Sequence, residues 1–569
     1  MIHTGRTIRL AAAVAVLVTS LHAQSAPARG GAASIDVPTL KEWLTYIASD
    51  ELQGRQVYTE GLGLAASYIA GHLERWGVRP AGEDGSYFQT VRVLGVRNDS
   101  RSSVTIEVNG QRRTFKDGEG ILLPRNAGGR QTVRGDDVYF AGYGLRTSDP
   151  AVDDYAGVDV GGKVVVWIGP EGPEGAGAEV TRLLSARSRS AVDRGAIAAI
   201  GPPPPGRAGM TTAAAGARSG GRVGTASVDF TTAQRYDRPI PPVVTAEDDF
   251  FEFLFSGSGL TYADLKARAE RREPLPRQPL TGVTLTFQID PEYTVVTTRL
   301  SRNVVGIVEG GDPQLKPSYV SFGAHYDHIG YRQTVPDGGG GGGGNFGCPG
   351  QTRPTPRPGD IVNNGADDDG SGTVALMGIA RAFALGPRPR RSLLFIWHTG
   401  EESGLQGSRY NADYPVVPNE ATIAHLNMDM IGRNRCDDPA QADTVYLVGS
   451  DRISTDLHNA SEVVNAGMAK PLTLDYEMND PADPQSIYTR SDHYSYAAKG
   501  IPVIFYTTGL HRDYHYLTDE IEKIEFDKMV RVARLIFLTG ERLANLEQPP
   551  ARDNRGPRAG RGTRGPLAP

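Results

Sequence analysis

The residues of this chain whose types and spacing could do chemistry are histidines and carboxylates set just past apolar, β-branched runs. His325 ends SYVSFGAH, with Asp327 two residues on; Asp367, Asp368 and Asp369 stand in NNGADDDGSG ahead of a helical pattern. Glu401 and Glu402 follow SLLFIWH, Asp429 ends AHLNMD, and Asp513, Tyr514 and His515 follow IPVIFYTT. Any one of these is ordinary, since an acidic residue at a helix start usually caps it. Five clusters at successive strand ends are not, because open α/β sheets bind ligands beyond the carboxyl ends of their strands. Two cysteines, Cys348 and Cys436, cannot build a four-Cys zinc site, so a metal must use His and carboxylates. Two His and three carboxylates suit a pair of zinc ions, each with one His and one terminal carboxylate, a further carboxylate bridging. Two metals roughly 3.5–4 Å apart acidify a bridging water, polarise a carbonyl and stabilise an oxyanion. A carboxylate near the water but off the metals can take its proton and deliver it to a leaving amine. Of Glu401 and Glu402, one can ligate and the other can do this.

The elements that must position these groups alternate after Thr298: RNVVGIVE, SYVSFGAH, the helical TVALMGIARAF, SLLFIWH, AHLNMDMI, TVYLVG, IPVIFYTT and a last helix from Ile521. That alternation predicts an α/β domain with a mostly parallel sheet. Residues 62–76 place Leu64, Tyr68, Ile69, Leu73 and Trp76 on one helical stripe. From 130 to 296 the texture changes to short β-branched runs broken by Gly and Pro, the pattern of a compact β-rich domain. Gly61, Gly63 and Ala66 match a dinucleotide turn but follow no strand, and Gly157 with Gly162-Lys163 leads into a strand and lacks the Ser or Thr of a phosphate loop. Neither is a nucleotide site.

The chain has 569 residues, enough for several domains, and 60 Lys and Arg against 66 Asp and Glu, a formal net charge of -6 that excludes a general nucleic-acid binder. Gly and Pro, 70 and 39 residues, stay below the roughly 25–30% that marks a low-complexity chain. Residues 1–23, basic then apolar from Leu10 to Leu21 with Ala23 at the end, read as a signal peptide, and no later run is apolar enough to span a membrane stably. Export to a periplasmic or extracellular space follows from that reading, and there the two cysteines can pair. Residues 547–569, with Arg at 552, 555, 558, 561 and 564, read as a disordered Arg/Gly/Pro-rich tail.

GAHYDH, GADDDGSG, GEE, NMDMIG, SDH and DYH, in that order, resemble the di-zinc exopeptidase family of bacterial leucyl-type aminopeptidases and glutamate carboxypeptidase, peptidase family M28. VYFAGYG, DYAGVDVGGKVVV and RGAIAAIG are similar to the protease-associated domain inserted in many members, and ASDELQGR resembles their N-terminal part. Together with the signal peptide read at 1–23, the resemblance implies catalytic-domain segments at 35–129 and 297–546 and the inserted domain at 130–296. It implies two zinc ions per chain: His325 and Asp429 on one, Glu402 and His515 on the other, Asp368 bridging. Glu401 becomes the general base, Asp327 the partner that orients the His325 ring, and Tyr514 a hydroxyl that helps hold the oxyanion. Asp367 and Asp369 then read as loop and cap residues, and Asp492 and His493 as support.

Between His325 and Asp368 lies a long insertion with seven consecutive glycines, 338–344, and a Pro-rich run, 349–358, that reads either as a lid or as a surface excursion. Cys348 lies in it and Cys436 lies seven residues past Asp429, so both should project at the site rim, and a disulfide between them is expected to pin the insertion. The expected function is removal of N-terminal residues from peptide substrates. A carboxypeptidase or dipeptidase would share the ligand set, a non-catalytic binding protein would lack ligands present here, and a glutaminyl cyclase would not need two metals. Oligomeric state is open.

Overall fold

The computed structural model describes residues 30–146, 152–175, 180–203, 229–332, 348, 350–480, 483 and 485–554; the expected signal peptide, the glycine run and the end of the tail fall outside them. Among the described residues two ten-stranded sheets organise two domains. In the first sheet, strands Ser392–His398, Tyr319–His325, Thr422–Met428 and Val503–Thr507 lie side by side and parallel. The flanks are antiparallel: Tyr293–Val308 against Ser392–His398, Phe88–Asn98 against Tyr293–Val308, and Thr444–Val448 against Val503–Thr507. The expected mostly parallel sheet is therefore a mixed one, parallel at the centre, where helical crossovers return the chain in the same direction, and again at one edge, where Thr444–Val448 pairs with Thr473–Asp475.

The central strands are buried on both faces, which is why they read as unbroken apolar runs. Alternate side chains still part company: Leu393, Phe395 and Trp397 enter one core, Leu394 and Ile396 the other. The larger core is closed by helices Gly372–Ala384, Phe526–Asn545, Val37–Ile47 and Glu60–Arg75. Phe322 stacks on Phe395 at 5.3 Å within it, and cutting such a ring to alanine costs about 3–5 kcal/mol. Helix Val37–Ile47 starts where Asp36 accepts from the Thr39 amide at 2.9 Å and buries Leu40, Trp43, Leu44 and Ile47, one stripe at helical spacing. Helix Glu60–Arg75 buries Leu62, Ala65, Ile69 and Leu73, whereas Leu64, expected on the core stripe, is 42% exposed. The stripe turns because the helix approaches closely through small residues; a Cβ at Gly61 would sit 1.9 Å from the Leu52 carbonyl oxygen.

The second domain starts earlier than the expected boundary at 130. Strands Ser103–Val108 and Gln111–Asp117 form a hairpin, and the first of them pairs with Val283–Ile289 of the second sheet. The Asn109-Gly110 turn between them, both at positive φ, is a strong hairpin signal in the sequence that a reading by texture alone passed over. The chain leaves the first sheet along Phe88–Asn98 and returns along Tyr293–Val308, so the two strands, paired from Asn98↔Tyr293 onward, are the stem of the insertion. Residues 547–554 also depart from the expected tail. The Ala551 amide donates to the Asp456 carboxylate at 2.9 Å, the Asn554 amide to the Ile453 carbonyl at 3.0 Å and Arg552 to the Thr422 carbonyl at 3.3 Å, so the first domain holds this stretch down. No helix of the described residues is long and apolar enough to cross a membrane.

Candidate metal centre

The parallel strands deliver their carboxyl ends to one rim. His325 ends its strand, Glu401 and Glu402 follow His398, Asp429 follows Met428, and the loop after Val503–Thr507 carries Tyr514 and His515. Asp368 comes from the turn Ala366–Ser371, which feeds helix Gly372–Ala384. The two Asp368 oxygens face different ways. Its Oδ1 lies 3.3 Å from His325 Nε2, which is 3.6 Å from Asp429 Oδ1. Its Oδ2 lies 3.1 Å from His515 Nε2, which is 2.8 Å from Glu402 Oε2. Donor atoms around one tetrahedral zinc, with bonds of about 2.0–2.1 Å, lie about 3.3 Å apart, so both groupings have the spacing of a metal site. His325 Nε2 and Asp368 Oδ2 are buried with no hydrogen-bond partner, which leaves both free to ligate.

Two further residues stand within metal-holding distance: Asp369 groups with His325 and Asp429, and His328 with Asp368 and Glu402. Asp369 is occupied, since its carboxylate accepts from the amides of His325, Gly372 and Met430 at 3.2, 2.9 and 3.2 Å. It ties the His325 strand to the helix start. His328 Nδ1 lies 2.8 Å from Glu402 Oε1, the oxygen that turns away from His515, so its ring steers that carboxylate. Asp367 also serves the frame, accepting from the Gly432 amide at 2.6 Å and facing His511 Nε2 at 3.2 Å.

Asp327 reaches the His325 ring through its main chain. Its carbonyl oxygen, 3.1 Å from His325 Nδ1, meets the ring, while its carboxylate stands 3.8 Å away and accepts from the Glu401 and Glu402 amides at 3.1 and 3.4 Å. The sharp turn after the His398 strand leaves those two amides without strand partners, and Asp327 is what satisfies them. Asp492 and His493 stay in the support: Asp492 lies 3.3 Å from His398 Nδ1 and His493 stacks on Phe505. Cys348 and Cys436 are bonded to each other, with Cα atoms 5.3 Å apart.

The electrostatics follow from this crowding. Burial pushes the Asp368 carboxyl up, but the close approach of the His325 and His515 rings outweighs it and holds the group well below the usual range. Burial raises Glu401 well above its ordinary value, and Glu402, Asp429 and Asp492 add to the rise against the opposing pull of His325. Burial would lower His515, yet Asp368 and Glu402 push it up to about 10. Burial raises the Tyr514 hydroxyl, whose oxygen accepts from Arg490 at 3.0 Å while its ring stacks on His515 at 3.9 Å. Asp368, Glu401, Tyr514 and His515 open onto a cavity that is also lined by Met430, Met478, Ile487, Phe505 and Leu510.

Three positioning groups were not anticipated. Arg55 is fully buried and donates to the carbonyls of Ile47, Tyr326, Asn364 and Gly365 at 2.6–3.0 Å, clamping the His325 and Asp368 loops together. Asp519 accepts from the Asp367 and Asp368 amides at 3.1–3.2 Å. His328 is the third, and it was in plain view in GAHYDH; nothing local marks the other two.

The sequence profile described as peptidase family M28 matches residues 303–539. This segment belongs to peptidase family M28. Leucine aminopeptidase 1 of Ajellomyces capsulatus (strain H88) is 29% identical over 192 residues, 31% of this chain and 46% of that protein. Leupeptin-inactivating enzyme 1 of Streptomyces exfoliatus is 31% identical over 148 residues, 25% of this chain and 30% of that protein. The chain thus spans about half the length, or less, of the curated M28 relatives it matches. Among solved structures, the aminopeptidase from Aneurinibacillus sp. strain AM-1 aligns with 93% of this chain and 99% of its own at 17% identity and a TM-score of 0.43.

Proposed function

We propose that this protein is an exported zinc-dependent aminopeptidase that hydrolyses N-terminal residues from peptides. The observation that carries the reading is the bridging posture of Asp368, with one oxygen toward His325 and Asp429 and the other toward His515 and Glu402. In this reading His325 and Asp429 hold one zinc, Glu402 and His515 the other, and Asp368 both. Two zinc ions supply an acidified water and a polarised carbonyl when bound.

The chain's own residues do the rest. Glu401 faces the cavity, and a buried, electronegative surround raises its proton affinity, as a base near neutral pH requires. It takes the proton of the attacking water and gives it to the leaving amine. Tyr514 keeps its proton, and because its oxygen already accepts from Arg490, its O–H is free to donate to the developing oxyanion. Asp327 fixes the peptide of Glu401 and Glu402, and His328 turns the Glu402 carboxylate. The Met, Ile, Phe and Leu wall receives an apolar side chain. The relatives named leucine aminopeptidase support cleavage at the amino end, and the second domain is read as a protease-associated domain.

Arg490 lines the same cavity and gives a carboxypeptidase or dipeptidase reading its foothold, since a guanidinium can bind a free carboxylate. Two peptide panels separate them, one acetylated at the amino end and one amidated at the carboxyl end, each followed by mass spectrometry with and without chelator. Chelator-sensitive trimming of free amino ends alone is expected. Trimming confined to free carboxyl ends would overturn the aminopeptidase assignment.

A further inference from the structure

The disulfide holds more than a loop. Residues 350–353, just past Cys348, form a strap that meets the loops carrying Cys436 and His515. Cys436 donates its amide to the Leu510 carbonyl at 2.9 Å, and Cys348 Sγ lies 3.4 Å from that oxygen. Gln351 Nε2 donates to the Cys436 carbonyl at 2.8 Å. Two residues on, Arg353 Nη1 donates to the carbonyl of His515 at 3.3 Å, and its guanidinium lies 4.7 Å from the centre of the buried Tyr516 ring. The strap therefore ends on the backbone of a residue whose ring belongs to the metal centre.

That backbone needs a partner. His515 has φ 54, the left-handed region that residues with a Cβ adopt only when their surroundings impose it. The ring is 35% exposed at the cavity mouth, unlike His325 at 1%, so packing alone does not fix it. We propose that Arg353 is a positioning residue for His515, delivered by the Cys348–Cys436 disulfide: it holds the His515 carbonyl and seats Tyr516, and so aims the imidazole at Asp368 and Glu402. The strap then acts on metal retention at one half of the centre and leaves the His325 half alone. This rests on the reading of His515 as a metal ligand.

The test uses the full chain in four forms: wild type, Arg353→Ala, Arg353→Lys and the double variant Cys348→Ser with Cys436→Ser. Zinc retained after equilibration with graded chelator is measured by elemental analysis, together with kcat, KM and melting temperature. Groups that orient metal ligands are worth roughly 10–100-fold in metal affinity. Arg353→Ala is expected to lose one of two zinc equivalents at about 10–100-fold lower chelator, with kcat reduced and KM little changed. The double serine variant should behave the same way, and Arg353→Lys, which can still donate to the carbonyl, should recover much of the loss. Wild-type zinc retention and kcat in Arg353→Ala would overturn the inference, as would a lowered melting temperature with both zinc ions retained. A wild-type chain that holds zinc and trims peptides beside an indifferent Arg353→Ala refutes this inference alone; a wild type that holds no zinc refutes it together with the proposed function.

Discussion

Each of the two domains buries an acidic residue, and the two acids are used in opposite ways. In the second domain Asp154 is buried and pushed up to about 6 by that burial, and its Oδ2 accepts from the Leu145 amide at 2.9 Å. It closes a loop. In the first domain Asp368 is just as enclosed, yet its Oδ2 has no hydrogen-bond partner and faces a histidine and a second carboxylate. Charge as such is not the difference, since the second domain is rich in ion pairs such as Arg112 with Glu107 and Arg113 with Asp249 at 2.7 and 2.8 Å, all at its surface. What sets the first domain apart is that buried ionisable groups converge at its strand ends and open onto a cavity, where burial is costly unless something else is bound.

The largest effect that follows is on rate. Glu401→Gln keeps the shape of the site and both metal groupings but loses the proton carrier, so kcat should fall by about 10²–10⁴-fold with zinc content unchanged. Asp154→Asn, which keeps a loop-closing acceptor in the other domain, should leave kcat as it is. A Glu401→Gln variant with wild-type kcat would erase the contrast between the two acids.

Next in size is a change confined to the second domain's core. Phe287 is fully buried there, and Phe287→Ala should cost about 3–5 kcal/mol of that domain's stability. Denaturation followed by a probe in each domain should show the loss in the second, while zinc content in the native protein stays at the wild-type value. Loss of zinc along with it would mean that the stem of Phe88–Asn98 and Tyr293–Val308 transmits disorder into the metal centre.

A smaller effect sharpens the metal side. In the metal-free protein Asp368 and Glu402 push His515 up to about 10, so at neutral pH its ring is protonated and must lose that proton to bind zinc. Metal affinity should therefore rise with pH between 6 and 8, by about tenfold per unit for each proton released. Calorimetry in buffers of different ionisation enthalpy counts those protons. Binding with no proton release would place His515 outside the ligand set.

What was legible in the sequence divides along similar lines. The central strands could be read because both faces are apolar, and the ligand types because strand ends in such sheets must carry the site. Sheet direction could not be read, since pairing Val304 with Trp397 is decided across a long stretch of sequence. The domain boundary was legible in principle at Asn109-Gly110. Arg55 and Asp519 were not, because a side chain that serves distant carbonyls or amides leaves no periodic trace. That Asp327 meets the His325 ring through its carbonyl rather than its carboxylate is a distinction no residue type encodes.

The smallest effect tests the other arm of the comparison. Arg112 and Glu107 face each other across the hairpin at 2.7 Å, with the arginine side chain 69% exposed. Water and salt screen such a pair, so a double-mutant cycle with Arg112→Ala and Glu107→Ala should give a coupling below about 1 kcal/mol that shrinks as salt is added. Arg433 supplies the counterpart, buried between Asp437, Asp513 and Asp519 beneath the Asp368 loop. Replacing it with methionine removes one of the cations facing these carboxylates, Lys523 still meeting Asp513 at 2.8 Å, and breaking a buried pair from one side runs to about 3–5 kcal/mol. If the exposed pair coupled as strongly as the buried one, exposure would not separate the two domains' charges, and the case for locating the working site by buried, converging ionisable groups would lose its physical basis.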